Sequence, residues 1–298
     1  MLTEYRIYVK DFLKQFDFPQ DAEEPLLSAF DLLTADPDRG CALTELLAAY
    51  AADCNVDFSV LIARADTLAK QSGIHPYTVH LLVLILLAKE CLSYYRAAGF
   101  DKEMWRANLM DLKYKAVECK LIKGMWGTFV FAWFARFYNV SRFCFGPLQF
   151  EIVDLRKPYK KNGVTYPAGT KVLNTHIPRT GGRLLPDAAE DAFRTASIFF
   201  KERYGLSETI FVCESWLLFP RNLTLLKPTS NLHAFVSRYD IIEAGEYDDY
   251  GSVWRLFDTD YNGDPDALPQ DSSLRRAYVA LMKRGEKTCW GYGAFLYK

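Results

Sequence analysis

Two short stretches of the chain hold residue types able to do chemistry. His176 ends a β-leaning run at 171–177 and is a side chain that titrates near neutral pH, so it is a general-base candidate; a hydrogen-bonded structural histidine is the plain alternative. Glu214 lies in the apolar run 209–218, between Cys213 and Ser215. Strand alternation would put Cys213 and Ser215 on one face and Glu214 and Trp216 on the other. A carboxylate there is a second base candidate, against the plainer role of a sheet-end residue paired with an arginine. A thiolate at Cys213 beside His176 would permit covalent catalysis, where most buried strand cysteines are small hydrophobes. Ser215 is not set in G-x-S-x-G, which argues against an α/β-hydrolase elbow. Between the two stretches, 179–183 carries Arg179, Gly181, Gly182 and Arg183. Amides of such a loop at a helix start can hold an anion, with the arginines adding charge; a turn with solvated arginines is the simpler reading.

The elements that must position these residues form a crossover. The spacing of Ala188, Ala192, Phe193, Ala196, Phe199 and Phe200 predicts a helix over 187–204, stopped by Gly205. Asp187 and Glu190 fit a D-x-x-E cap at its start. Strand, loop, helix and strand in this order place the two strands side by side and parallel, with the loop as ligand end. Upstream, 143–155 reads as one strand with Gly146-Pro147 as a bulge or edge position, followed by turns at 160–163 and 167–170 around a short strand at 164–166. Downstream, Ser230 is an N-cap for a helix to Tyr239, with strands at 240–246 and 253–257, a helix at 272–283 and a last strand at 288–297.

Residues 1–140 read as helical almost throughout, with a turn at 36–40 and a helix across 126–138. Its Trp126, Val130, Trp133, Phe134 and Phe137 stripe suits a packing face, or else the wall of an acyl pocket. The 298 residues therefore divide into a helical domain at 1–140 and an α/β domain at 141–298. Half of the residues are hydrophobic and 15% aromatic, enough for two cores. The net charge of −1 gives no basic excess for phosphates, so no nucleic-acid partner is expected. The charged start is unlike a signal peptide, and the apolar run at 81–88 is short for a membrane span. Seven scattered cysteines without a CxxC favour reduced thiols in a cytoplasmic protein, and His75 and His80, five apart, miss the spacing of a helical metal pair.

The element order resembles the GNAT acyltransferase superfamily. In detail, Gly146-Pro147-Leu148-Gln149-Phe150-Glu151, His176-Ile177-Pro178, the run from Cys213 to Leu218, Ser230-Asn231-Leu232, and Trp105, Asp111 and Leu112 resemble a bacterial family that joins a helical N-terminal domain to a GNAT-like C-terminal domain. The resemblance implies an α+β protein, an all-α N-terminal domain followed by a GNAT-like mixed α/β domain. It also implies acyl transfer from acetyl-CoA or another acyl-CoA to a small-molecule amine acceptor. The cofactor contacts it implies are Ile177, Arg179, Gly181, Gly182, Arg183 and Asn231. Against the family's Q/R-x-x-G-x-G/A loop, Arg179 stands first and Gly182 fourth, but Leu184 takes the sixth place. For such a transfer Glu214 or His176 would take the amine proton, and Tyr239 or Tyr292 would protonate the leaving thiolate. Cys213 keeps open an acyl-enzyme route, and the imperfect loop keeps open a non-catalytic GNAT fold that binds a ligand or protein.

One further pattern is Asp258, Asp260, Asn262 and Asp264, the first half of a calcium loop. Pro269 occupies the position that needs a bidentate glutamate, so an acidic surface turn is the better reading. The wider acidic stretch at 240–271 can also attract a cationic acceptor.

Overall fold

Helix ends in the first half follow from aspartate, proline and glycine at fixed places. The computed structural model describes residues 2–179 and 184–298, and two units divide at Phe143/Cys144. In the first, α1 (Leu2–Gln15), α2 (Glu23–Thr34), α3 (Pro37–Ala52), α4 (Phe58–Ser72), α5 (Pro76–Ala97) and α6 (Lys102–Lys123) follow one another. The segment 36–40, expected as a turn, instead starts α3. Asp36 accepts from the Arg39 amide at 3.0 Å and Pro37 takes the first helical position. Asp101 caps α6 the same way at 2.8 Å, and Gly73 and Gly124 end α4 and α6 with φ of 72° and 74°.

Helix α5 is long and apolar enough to cross a membrane, more than the run at 81–88 suggested. Its residues from Leu81 to Ala88 are fully buried, packed by α1 to α4 and α6. The helix expected across 126–138 is mostly absent. A 3-10 turn at Phe131–Phe134 leads into the one-turn α7 (Ala135–Tyr138). Before it the chain crosses the start of α5, where the Thr128 amide donates to the Tyr77 carbonyl at 2.9 Å and Thr78 Oγ1 donates to the Trp126 carbonyl at 2.9 Å. These contacts compete with helix formation, and a Cβ at Gly127 would collide with the Tyr77 backbone.

The second unit contains β1 (Arg142–Phe145, which straddles the division), β2 (Leu148–Asp154), β3 (Tyr159–Lys161), β4 (Val164–Tyr166), β5 (Lys171–His176), α8 (Pro186–Tyr204) and β6 (Thr209–Ser215). Short α9 (Asn222–Leu225) and α10 (Asn231–Val236) precede β7 (Asp240–Glu246). The one-turn α11 (Trp254–Phe257) and α12 (Ser273–Lys283) precede β8 (Cys289–Tyr297). Among the described residues the sheet order is β1-β2-β5-β6-β8-β7, with β3 and β4 as a separate hairpin. The fold is thus a helical region followed by a mixed α/β domain, as expected. Gly146-Pro147 is a turn between β1 and β2, not a bulge in one strand, with φ of +53° at Gly146. The strand expected at 253–257 is the turn of helix α11, ended by Asp258 at φ +61°.

Each face of the sheet has its own cover. Phe193 of α8 meets Phe211 at 4.7 Å and Phe295 at 5.1 Å between ring centroids, so an aromatic core fills the α8 face. On the other face Val172, Ile210, Val212 and Ala294 pack beneath Leu155, Tyr159 and Tyr166. The arm 155–170 therefore lies across the sheet. It is tied down by Lys157 to Glu243 at 2.7 Å, and by Tyr159 and Lys161 to Asp240 at 2.6 Å each.

Candidate active site

Strands β5 and β6 are parallel, as the crossover requires, but they pair only at Leu173↔Phe211 and Asn174↔Val212. Beyond this point Thr175 and His176 remain paired with β2, and Cys213, Glu214 and Ser215 with β8. The sheet thus parts along one line while both strands stay anchored on their outer sides. The chain directs the parting at both ends. Pro178 lacks an amide hydrogen to continue the ladder, and Ser215 turns β6 into a 3-10 turn at Trp216–Leu218, accepting from the Leu217 amide at 3.2 Å.

On the α8 face the parting is lined by Thr175, Cys213 and Tyr239. All three are buried. The hydroxyls of Thr175 and Tyr239 are neighbours, yet neither makes a well-formed hydrogen bond. Burial raises the Tyr239 phenol well above its ordinary range. Burial, reinforced by the charge of Glu214, pushes the Cys213 thiol up to about 12. A thiol held so is un-ionised at neutral pH and is not a nucleophile there. Its burial matches the plain reading of a strand cysteine, and His176, the base an acyl-enzyme route would pair with it, stands on the other face of the sheet.

On the opposite face stand His176, Glu151 and Asn174. His176 Nε2 is 2.9 Å from Glu151 Oε1, and Asn174 Nδ2 donates to the same oxygen at 3.2 Å. The Glu151 side chain is 5% exposed and that of His176 19%. Nε2 faces both this carboxylate and Asn174 Nδ2, 3.1 Å away; with the ring hydrogen directed at Glu151, the neutral ring has its lone pair on Nδ1. Glu151 was missed as a site residue. The signal was present in β2, where Gln149 and Glu151 alternate with Leu148, Phe150 and Ile152, so that a buried face carries polar groups.

Glu214 is on this face too, across the parting from His176. Its side chain is 49% exposed and lies 2.5 Å from Arg156. The apolar burial on which its role as a base rested is not found. The Arg156 guanidinium stacks on the Tyr292 ring at 4.0 Å, which gives Tyr292 a supporting place beside that pair.

The expected cofactor contacts divide. Gly181, Gly182 and Arg183 lie outside the described residues. Arg179 is bound to Asp258, which also accepts from Arg275 at 2.6 Å, so its guanidinium is engaged by a carboxylate while still exposed. Asp258 is thus taken up by two arginines, and among the described residues no group of three or more His, Cys, Asp or Glu is placed to hold a metal. Ile177 follows β5 directly and is partly buried. Asn231 opens α10, capped by Ser230, and α10 packs on α8 through the stacked Phe235 and Phe193. The Asp187-to-Glu190 cap does not form. Pro186 starts α8 without a side-chain cap, and Glu190 is bound by Arg238 and, at 2.9 Å, by the Tyr297 hydroxyl.

A family model described as a GNAT-like C-terminal domain matches residues 143–295, and one described as an N-acyltransferase N-terminal domain matches residues 8–140. No curated protein matches the sequence. Among solved structures, an acyltransferase in complex with decanoyl-CoA aligns over 97% of this chain and 88% of its own, with TM-score 0.77 and 23% identity. Another, in complex with decanoyl-CoA and teicoplanin, aligns over the same shares with TM-score 0.74 and 21% identity. A third, with CoA and 10C-teicoplanin, has TM-score 0.73 and 22% identity over those shares.

Proposed function

The chain belongs to the family that joins an N-acyltransferase N-terminal domain to a GNAT-like C-terminal domain, and from that premise we propose that it transfers an acyl group from an acyl-CoA to the amine of a small acceptor. The observation that carries this reading is the parting of β5 from β6 after Asn174 and Val212. Two facing strand edges that have ceased to pair with each other can take up an extended amide-bearing chain by strand-like hydrogen bonding, and the pantetheine arm of CoA is such a chain. The buried hydroxyls of Thr175 and Tyr239, neighbours of one another without a well-formed bond, line the same opening and suit a polar guest.

When bound, an acyl-CoA supplies a thioester carbonyl for attack. The chain's own groups handle the protons. His176, held by Glu151, takes the proton from the amine as nitrogen bonds to the carbonyl carbon. As the carbon–sulfur bond breaks, the thiolate needs a proton, and Tyr239, whose hydroxyl lines the parting, is the donor. The acyl group read from the sequence is acetyl or another short chain. The similar solved acyltransferases hold decanoyl-CoA, so the donor test runs from acetyl to decanoyl.

The experiment is a thermal-shift titration with CoA, acetyl-CoA, octanoyl-CoA and decanoyl-CoA, followed by thiol release with an amine panel. Binding to the native state raises Tm. No shift at millimolar concentration with any of them rejects the proposal. A second reading draws on the Arg179 pairing with Asp258: the fold binds the ligand without turnover. It predicts the thermal shift but no thiol release.

A further inference from the structure

The acceptor side of the parting carries a second pair of charges that the acyl-transfer steps leave unused. Glu214 and His176 stand level on one face. The last paired residues are Asn174 and Val212, and each candidate lies two positions further on its own strand. An amine at His176 therefore has Glu214, and the arginine bound to it, across the parting.

That arginine is held unusually well for a half-exposed side chain. Its guanidinium lies on the ring of Tyr292 at 4.0 Å, and the ring is buried. Its Nη1 is 2.5 Å from Glu214 Oε2, with the Arg156 and Glu214 side chains 46% and 49% exposed. Stacking fixes the plane of the fork, which is the geometry that recognises carboxylates. The pair is not needed to anchor the arm. Lys157, Tyr159 and Lys161 already bind Glu243 and Asp240 further along it. Exposed ion pairs contribute little to stability, so a ligand charge can replace either partner at small cost.

We infer that Arg156 and Glu214 form an acceptor subsite for an amine that also bears a carboxylate, the amino-acid-like class, with Arg156 taking the ligand carboxylate and Glu214 the ammonium before His176 removes its proton. In the ligand-free chain Glu214 occupies the place of the ligand's own carboxylate. This inference rests on the acyl-transfer reading for the catalytic step, but its binding half can be measured alone.

The test pairs phenylalanine with phenethylamine, which lacks the carboxylate, and with phenylacetate, which lacks the amine. Binding is read by ligand-observed NMR and KM by thiol release. Wild type should favour phenylalanine over phenethylamine by about tenfold, in the range of one charge-assisted contact. Arg156→Gln should abolish that preference through KM with kcat little changed. Glu214→Gln should act in the opposite direction on phenylacetate, tightening it by removing the internal competitor. A purely structural pair would weaken all three ligands in both variants. Equal binding of phenylalanine and phenethylamine, or a preference that survives Arg156→Gln in a folded variant, overturns the inference. Preference without thiol release supports the subsite while rejecting the transferase reading.

Discussion

Glu151 Oε1 lies 2.9 Å from His176 Nε2 on the diagonal of the antiparallel β2–β5 pair, where Gln149 faces His176 and Glu151 faces Asn174. The carboxylate is nearly closed to solvent and the imidazole is less so. A buried carboxylate orients the more exposed ring, as a third group does in catalytic triads.

His176→Ala should lower kcat by about 10²- to 10⁴-fold, the usual contribution of a positioned base. Acyl-CoA thermal shifts should survive, because the ring is assigned to the acceptor side. Glu151→Gln should cost less and change the pH–rate profile, since Gln can still accept from Nε2 but no longer stabilises the charged ring. Steady-state thiol release across pH checks both. Full activity in His176→Ala would remove it from the mechanism.

Cys213 should be inert. Its thiol is buried and pushed up to about 12, while Cys41 is exposed. Iodoacetamide at pH 7.5 should label Cys41 in the native protein and reach Cys213 only after denaturation, as read by peptide mass. Cys213→Ala should retain turnover. Native labelling of Cys213 with matching loss of activity would restore the acyl-enzyme route.

Much of the α/β unit was legible because its punctuation is chemical. Pro178, Gly205 and Ser230 end or start elements for reasons local to the backbone. The misreadings share a cause. The segments 36–40, 126–138 and 253–257 carry residues compatible with two local states. Capping by Asp36, the contacts of Trp126 and Thr128 with the α5 start, and the left-handed Asp258 decide among them. The site divides the same way. His176 shows itself by residue type, whereas Glu151 becomes a partner only through the register of β2 on β5. Glu214 read as a buried base because alternation gives a face but not its exposure, and the arm that brings Arg156 to it is a tertiary arrangement.

Acid stability should depend in part on Glu190. The hydrogen bond from Arg238, aided by Tyr297, holds its carboxyl below the ordinary value of 4.5. A depressed carboxyl contributes stability above its unfolded value and loses it as pH falls through the folded one. Glu190→Gln should therefore lower Tm at pH 7, and wild type and variant should converge towards pH 3. The pair is partly exposed, so the difference should stay under about 1 kcal/mol. A constant gap from pH 7 to 3 would contradict the linkage.

Tyr239 separates stability from catalysis. Its hydroxyl is buried without a well-formed hydrogen bond, and so is that of Thr175 beside it. Removing an unsatisfied buried polar group without changing shape costs little and can stabilise. Tyr239→Phe should thus keep or raise Tm, since its ring contacts with Phe235 at 5.5 Å and Phe295 at 5.0 Å are retained. As thiolate acid, the same hydroxyl should make kcat fall by about 10²-fold or more. The deficit should shrink with donors whose leaving thiol is more acidic, because such a thiolate needs less help to depart. Paired melting curves and thiol-release assays on CoA and aryl thioesters decide the case. A variant that is less stable and equally active would make the hydroxyl structural.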